Sequence, residues 1–225
     1  MNSVYWKLQY RKIIKTEEKT EAIRILPIEG NSLFLVPHAD DELLSSYCTI
    51  NNLSSEIALY YFGFVGSNSN KENIKRRYDE FISFCKLVQV QYIIADDGFN
   101  NLGNIVRNNE IRRVFLPSLV DWHYEHRKTN YLFLEQCEKE GSRPDIFWYQ
   151  VTVPIVNNRC KIVLPIEPDE QEKKYRVFKR IYRSQRHLPL LRFELNEKIS
   201  GHKYGYFACE VFMHLGYSEW KEIAE

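Results

Sequence analysis

Apolar and polar positions follow two alternating periods along this chain, and the alternation predicts strands separated by helices. Leu33-Phe34-Leu35-Val36 is an unbroken apolar run stopped by Pro37, the pattern of a strand buried on both faces. Ile57 to Tyr61 repeats the pattern and ends at Gly63 and Gly66. Tyr92 to Ala95 and Arg113 to Leu116 form a third and a fourth strand, closed by Asp96-Asp97-Gly98 and by Pro117. The clearest helix lies between the second and third strands. Ile74, Tyr78, Phe81, Ile82, Cys85 and Val88 recur at helical spacing opposite Lys75, Arg76 and Asp79. The polar stretch Ser67 to Asn70 ahead of it offers a cap.

Residues 100–109 read as a loop and His126 to Lys139 as a helix. Phe147 to Val153 and Lys161 to Pro165 read as strands split by Asn157-Asn158. Residues 168–186 and about 204–215 read as terminal helices. Val4 to Leu8 and Ala22 to Leu26 predict a strand or helix in residues 1–30, an N-terminal extension packed on the main body. Strands alternating with helices give an α/β fold: a Rossmann-like, mostly parallel sheet with helices on both faces. No repeat, low-complexity tract or linker interrupts it, so residues 1–225 are expected to form one domain.

Composition adds mainly exclusions. The 31 Lys and Arg nearly balance the 30 Asp and Glu, so the net charge of +1 gives no global pull toward nucleic acid or an acidic membrane. No apolar stretch approaches the roughly 20 residues of a membrane span, and the charged N-terminus lacks the apolar centre of a signal peptide. Cys48, Cys85, Cys137, Cys160 and Cys209 are scattered without a C-x-x-C pair. They predict reduced, partly buried thiols in a cytoplasmic protein rather than a thiolate zinc site.

The chemistry concentrates in two places. His38-Ala39-Asp40-Asp41-Glu42 follows the first strand, and Asp121-Trp122-His123-Tyr124-Glu125-His126 follows the fourth. If both strands run parallel in one sheet, both clusters share its carboxyl edge, where α/β sheets bind ligands. Three of the six histidines fall in these clusters; His187, His202 and His214 look isolated. Grouped carboxylates need a compensating cation or donors, and imidazole with carboxylate suits zinc. His38, Asp41 and His126 can supply a three-ligand site with one open position, leaving Asp40 as a general base toward bound water. On spacing alone a plainer reading stands beside this one, in which the acidic run simply caps the helix that follows.

The two clusters resemble the paired motifs of the PIG-L/LmbE-like zinc-dependent N-deacetylases, H-P-D-D-E after the first strand and a later D-x-H-x-D-H. Arg77-Tyr78-Asp79-Glu80 resembles that family's R-x-x-E helix, Asp97-Gly98 its Asp-Gly turn, Tyr182-Arg183-Ser184-Gln185 its S-Q helix end, and Cys209-Glu210-Val211-Phe212 its closing A-E-x-F. The matches run in order from about residue 33 to 213 and leave the N-terminal 30 residues uncovered. Ala39 stands where the family has proline, and Glu125 where aspartate is usual.

The resemblance implies an LmbE-like fold and a zinc-dependent hydrolase removing an N-acetyl group from an N-acetylated sugar or glycoconjugate, with iron or manganese as alternative metals. It implies His38, Asp41 and His126 as ligands, Asp40 as general base, and His123 as oxyanion stabiliser or acid, oriented by Asp121 or Glu125. It assigns Arg77 and Asp97 to substrate, with an ion pair to Glu80 or another carboxylate as the structural alternative for Arg77, and Glu42 to loop support. Whether Asp40 or His123 is the general acid stays open, as does a homo-oligomer. Two other functions compete: a zinc amidase acting on a non-sugar or thiol-conjugate amide, and a non-catalytic carbohydrate-binding member of the fold.

Overall fold

The computed structural model describes residues 3–16, 24–25, 30–65, 70–96, 98–108, 111–155 and 161–225. Its centre is β2 (Ser32–Val36), buried along its whole length. The chain then passes through α2 (Asp41–Asn52) to β3 (Ile57–Tyr61) and through α3 (Lys71–Val88) to the edge strand β4 (Gln91–Ile94). It continues through α4 (Asn100–Asn108) to β5 (Arg113–Pro117), which pairs with the opposite side of β2. α5 (Tyr124–Glu140) and β6 (Asp145–Tyr149) extend the sheet on that side. All of these strand pairs are parallel, in the order β6-β5-β2-β3-β4.

The rest of the sheet is β7 (Lys161–Ile166), β8 (Ala208–Leu215) and the two-residue β1 (Arg24–Ile25). β8 lies antiparallel between β6 and β7, and β1 pairs parallel with β7 at the edge. The result is an eight-stranded, mostly parallel sheet. α6 (Pro168–Ile181) packs with α2 and α3 over the face toward which Phe34 and Val36 point. α4, α5 and α8 (Tyr217–Ala224) cover the face of Leu33 and Leu35. This alternation within one strand is what gives both faces a helical layer.

Three expectations need correction. Residues 100–108 form a helix, not a loop: Leu102 and Val106 are four apart and buried, and the intervening asparagines hid that spacing. Residues 208–215 form a strand where a terminal helix was expected, because both of its faces are covered and a mostly apolar run without alternation fits a buried strand as well as a buried helix. The helix of that region is α7 (Leu190–Tyr204), whose many charged positions concealed it. It turns back so closely on β8 that a Cβ at Gly201 would lie 2.4 Å from the Ala208 Cα, so only glycine fits. Ile74, counted with the buried stripe of α3, is exposed.

In the N-terminal extension, α1 (Ser3–Thr16) packs against α7. Cys48, Cys85, Cys137 and Cys209 are unpaired and buried, and Cys160 lies outside the described residues. No described helix is long and apolar enough to cross a membrane.

Candidate active site

β2 is the point where the chain reverses its direction across the sheet: β3 lies on one side of it and β5 on the other. Crevices at such switch points, outside the strands' carboxyl ends, are where α/β sheets bind ligands. Phe34 is level with Phe115, so the residues following Val36 and Pro117 emerge side by side. Sequence separation of more than 80 residues between His38 and His126 thereby becomes contact.

Three donor atoms form a small triangle there. His38 Nδ1 is 3.1 Å from Asp41 Oδ2, His126 Nε2 is 3.1 Å from the same oxygen, and the two ring nitrogens are 3.2 Å apart. Three ligands bound tetrahedrally to a zinc at its usual bond lengths would lie about 3.3 Å apart, so the donor set fits such an ion. His123 also faces the pair, with its ring centroid 4.6 Å from that of His38 and 4.8 Å from that of His126. A looser set of three imidazole nitrogens lies within 4.8 Å. The triangle containing Asp41 is the tighter and brings an anion, so it is the better cation cradle.

Each corner is held from behind. Asp41 opens α2 and receives the His38 N–H at 3.0 Å. Glu125 Oε2 lies 2.7 Å from His38 Nε2, on the side of the ring away from Asp41. Asp121 Oδ2 is 3.2 Å from His126 Nδ1. Asp121 is itself fixed by the His123 N–H at 2.9 Å and the Thr152 hydroxyl at 2.7 Å. The sequence placed both carboxylates beside His123; in the fold each backs a different histidine of the triangle, and Glu125 reaches His123 Nδ1 only at 3.7 Å. Carboxylates behind imidazole ligands fix the tautomer and ring orientation of metal sites.

Asp40 stands next to the triangle. Its φ of +138 is unusual for a residue with a Cβ. Glu42 maintains that backbone by accepting the Asp40 N–H at 3.1 Å, and the Tyr182 hydroxyl donates to Glu42 in turn. Arg77 Nη2 lies 3.5 Å from Asp40 Oδ1, so the ion pair expected of Arg77 forms with Asp40, whereas Glu80 accepts from the Ser184 N–H and hydroxyl. Asp97 lies outside the described residues.

Burial and neighbouring charge pull these groups apart electrostatically. Burial raises Asp40 to about 7 against the opposing charge of Arg77. Burial also raises Glu42 to about 8, with the Tyr182 hydroxyl opposing. Burial would raise Asp41 as well, but the charges of His126 and His38 outweigh it and hold that carboxyl far below the usual range. Burial alone would lower His38 and His126, yet Asp41, assisted by Glu125 and Asp121 respectively, lifts them to about 9 and about 10. The two imidazoles thus hold positive charge against Asp41 wherever no metal replaces it. His123 moves the other way, lowered by burial and by its two histidine neighbours.

A cavity of about 460 Å³ opens over this cluster. Leu44, Phe64, Val151 and Phe193 give it apolar walls, and Asn73, Arg77, Thr152 and Gln185 give it polar ones. Two of its residues were missed. Thr152 sits in a bend beyond β6, which ends at Tyr149 rather than running on to Val153 as expected, and no motif surrounds it; His187, which looked isolated, lines the cavity because the turn after α6 folds back over the site. His202 and His214 do not line it.

No family model and no curated protein matches the sequence. Solved structures match the fold. N,N'-diacetylchitobiose deacetylase from Pyrococcus horikoshii, determined with an inhibitor, superposes with a TM-score of 0.63 at 18% identity, over 96% of this chain and 93% of that one. The conserved protein TT1542 from Thermus thermophilus gives 0.63 at 19%, over 82% and 94%. The zinc-inhibited form of the teicoplanin deacetylase Orf2 gives 0.62 at 11%, over 82% and 97%. The chain therefore has the fold of the LmbE/PIG-L deacetylases.

Proposed function

We propose that this protein is a metal-dependent amide hydrolase that removes an N-acetyl group from an N-acetylated sugar or glycoconjugate. The observation that carries the reading is the triangle of His38 Nδ1, Asp41 Oδ2 and His126 Nε2, with the separate acid Asp40 beside it. These three atoms would hold the metal. Zinc suits mixed imidazole and carboxylate donors, and ferrous iron or manganese accepts the same set. When bound, such an ion supplies Lewis acidity and brings the pKa of water toward ~7.

The chain's own residues then divide the proton work. Asp40 is the base: a carboxyl raised to about 7 is poised to take a proton from water near neutrality and to give it back. Arg77 keeps it from rising further. His123 is lowered and so remains neutral near pH 7, which suits an N–H donating to the oxyanion of a tetrahedral intermediate. The proton for the departing amine then comes from Asp40. The apolar walls suit the acetyl methyl, while Arg77, Asn73 and Gln185 face the more polar remainder. Two solved proteins of this fold, described as deacetylases of diacetylchitobiose and in the teicoplanin pathway, support an N-acetyl substrate.

The test is acetate release from a panel of N-acetyl sugars, glycoconjugates and non-sugar amides, by metal-stripped and zinc-loaded protein. Asp40→Asn should lose about 10²–10⁴ in kcat, the usual worth of a general base, while still binding zinc. His126→Ala should lose the zinc itself. Metal-dependent turnover of only the non-sugar amides would move the assignment to an amidase. Absence of metal-dependent acetate release from every substrate would sink the proposal.

A further inference from the structure

Thr152 is held at its N–H, its hydroxyl and its carbonyl. The N–H donates to Asp121 Oδ2 at 3.2 Å and the hydroxyl to Asp121 Oδ1 at 2.7 Å, while the carbonyl accepts from Arg192 Nη2 at 3.0 Å. The residue lies in the bend at 151–153, and a bend has no strand ladder to fix it. Asp121 on one side and Arg192 on the other are its polar anchors.

Arg192 occupies a place that helix electrostatics disfavours. It lies in the first turn of α7, which holds no acid, at the positive end of the helix dipole. Two groups compensate. One is the Thr152 carbonyl, and the other is the face of the Trp6 indole, whose centroid is 5.4 Å from the guanidinium carbon. Trp6 belongs to α1, which packs on α7 and which the family motifs leave uncovered. Its ring is half-buried, whereas Val4, Tyr5 and Leu8 around it are exposed. α1 thus turns its only tryptophan inward, onto Arg192.

Both stretches that Arg192 joins lead to the site. Val151 and Thr152 line the cavity from the bend, and Leu188 and Phe193 line it from either side of Arg192. Asp121, held by the bend, reaches His126 Nδ1 at 3.2 Å. We propose that Trp6 and Arg192 are positioning residues: α1 clamps the 151–153 bend through Arg192, and the bend fixes the carboxylate of Asp121 behind His126. A planar guanidinium held on two sides carries position where a flexible ammonium would not. That His126 holds a metal rests on the amide-hydrolase reading; the clamp stands on the contacts themselves.

The experiment has two independent arms. In the first, amide hydrogen exchange of the metal-free protein is followed by mass spectrometry in wild type, Trp6→Leu, Trp6→Phe and Arg192→Met. Thermal melting checks that each variant is folded. Trp6→Leu and Arg192→Met should speed exchange across residues 150–155, with peptides of α3 unchanged. Trp6→Phe keeps a ring face and should stay close to wild type. Unchanged exchange at 150–155, or an equal rise in α3, would overturn the clamp.

In the second arm, zinc affinity is measured by competition with a chromogenic chelator. Arg192→Met should weaken it about tenfold, the lower end of what losing the carboxylate behind a metal-bound imidazole does. Trp6→Leu should weaken it about threefold, the size of one partly exposed cation–π contact. In an Asp121→Asn background neither substitution should add a further loss, because the route to His126 is already cut. Losses that simply add, or unchanged affinity in Arg192→Met, would overturn the positioning of Asp121. If wild-type protein binds no zinc, the metal reading fails and the exchange arm still decides the clamp.

Discussion

Arg77 holds its guanidinium 3.5 Å from Asp40 Oδ1, with both side chains largely withdrawn from water. The relationship joins a helix on one side of β3 to a loop at the end of β2, and it sets the charge of the proposed base. Burial drives Asp40 up, while Arg77 opposes it. Replacing Arg77 with glutamine removes the opposing charge, so the Asp40 pKa should rise beyond about 7. The acid limb of the pH–kcat/KM profile should move to higher pH, with a loss at neutrality of about 10–10² as the base becomes protonated. A profile with an unmoved acid limb would detach Arg77 from proton transfer and leave it a packing role.

Asp121 reaches His126 Nδ1 at 3.2 Å and is anchored by Thr152. If His126 is a ligand through Nε2, Asp121 fixes the nitrogen that points away from the ion. Asp121→Asn should weaken zinc binding by about 10–100-fold, the usual effect of losing a carboxylate behind a metal-bound imidazole. Thr152→Val should weaken it less, since Asp121 keeps the His123 N–H. Competition with a chromogenic chelator measures both, and unchanged affinity in Asp121→Asn would exclude His126 as a ligand held this way.

The parallel half of the fold was legible because buried strands leave unbroken apolar runs bounded by proline or glycine. Leu33 to Val36 and Ile57 to Tyr61 marked β2 and β3, and the spacing of Phe81, Cys85 and Val88 marked α3. β8 was not legible as a strand, because a run covered on both faces carries no period to separate it from a buried helix. In the site, the two motif clusters and their meeting at one sheet edge could be read from sequence, but which carboxylate backs which histidine could not. Glu125 backs His38 rather than its neighbour His123 because α5 starts with its first turn aimed across at β2, a relation only tertiary structure creates. His187 reaches the cavity through the turn after α6, again without a local signal.

Glu210, in the last of the sequence motifs, has a structural task at some distance from the proposed chemistry. α2 breaks its helical geometry at Ser46, and both oxygens of Glu210 receive the N–H groups of Cys48 and Thr49 at 2.9 Å. Fully buried Lys174 bridges Glu210 at 3.2 Å and Glu197 at 2.6 Å. Glu210→Ala would strand two N–H donors and half the counter-charge of a buried lysine. Removing one partner of a buried pair costs about 3–5 kcal/mol, so denaturant unfolding should show a loss of that size. A loss under about 1 kcal/mol, the worth of an exposed pair, would mean that water enters to replace Glu210.

The raised histidines give the metal-free protein a distinctive pH dependence. Their folded pKa values, about 9 for His38 and about 10 for His126, lie above the ordinary 6.5. A group raised in the folded state contributes stability that is complete below its unfolded pKa and lost as pH climbs through the folded one. The metal-free protein should therefore lose stability between about pH 6.5 and 10, and the raised Asp40 and Glu42 push the same way at lower pH. A metal at His38 and His126 needs both imidazoles neutral, so it must displace their protons, and its apparent affinity should climb across the same interval. Thermal melting of metal-free and zinc-loaded protein from pH 6.5 to 9.5 should show the first falling steeply and the gap between them widening. Calorimetry in buffers of different ionisation enthalpy should show proton release on zinc binding at pH 7. Zinc binding at pH 7 without proton release would mean that these two histidines are not the groups the ion displaces.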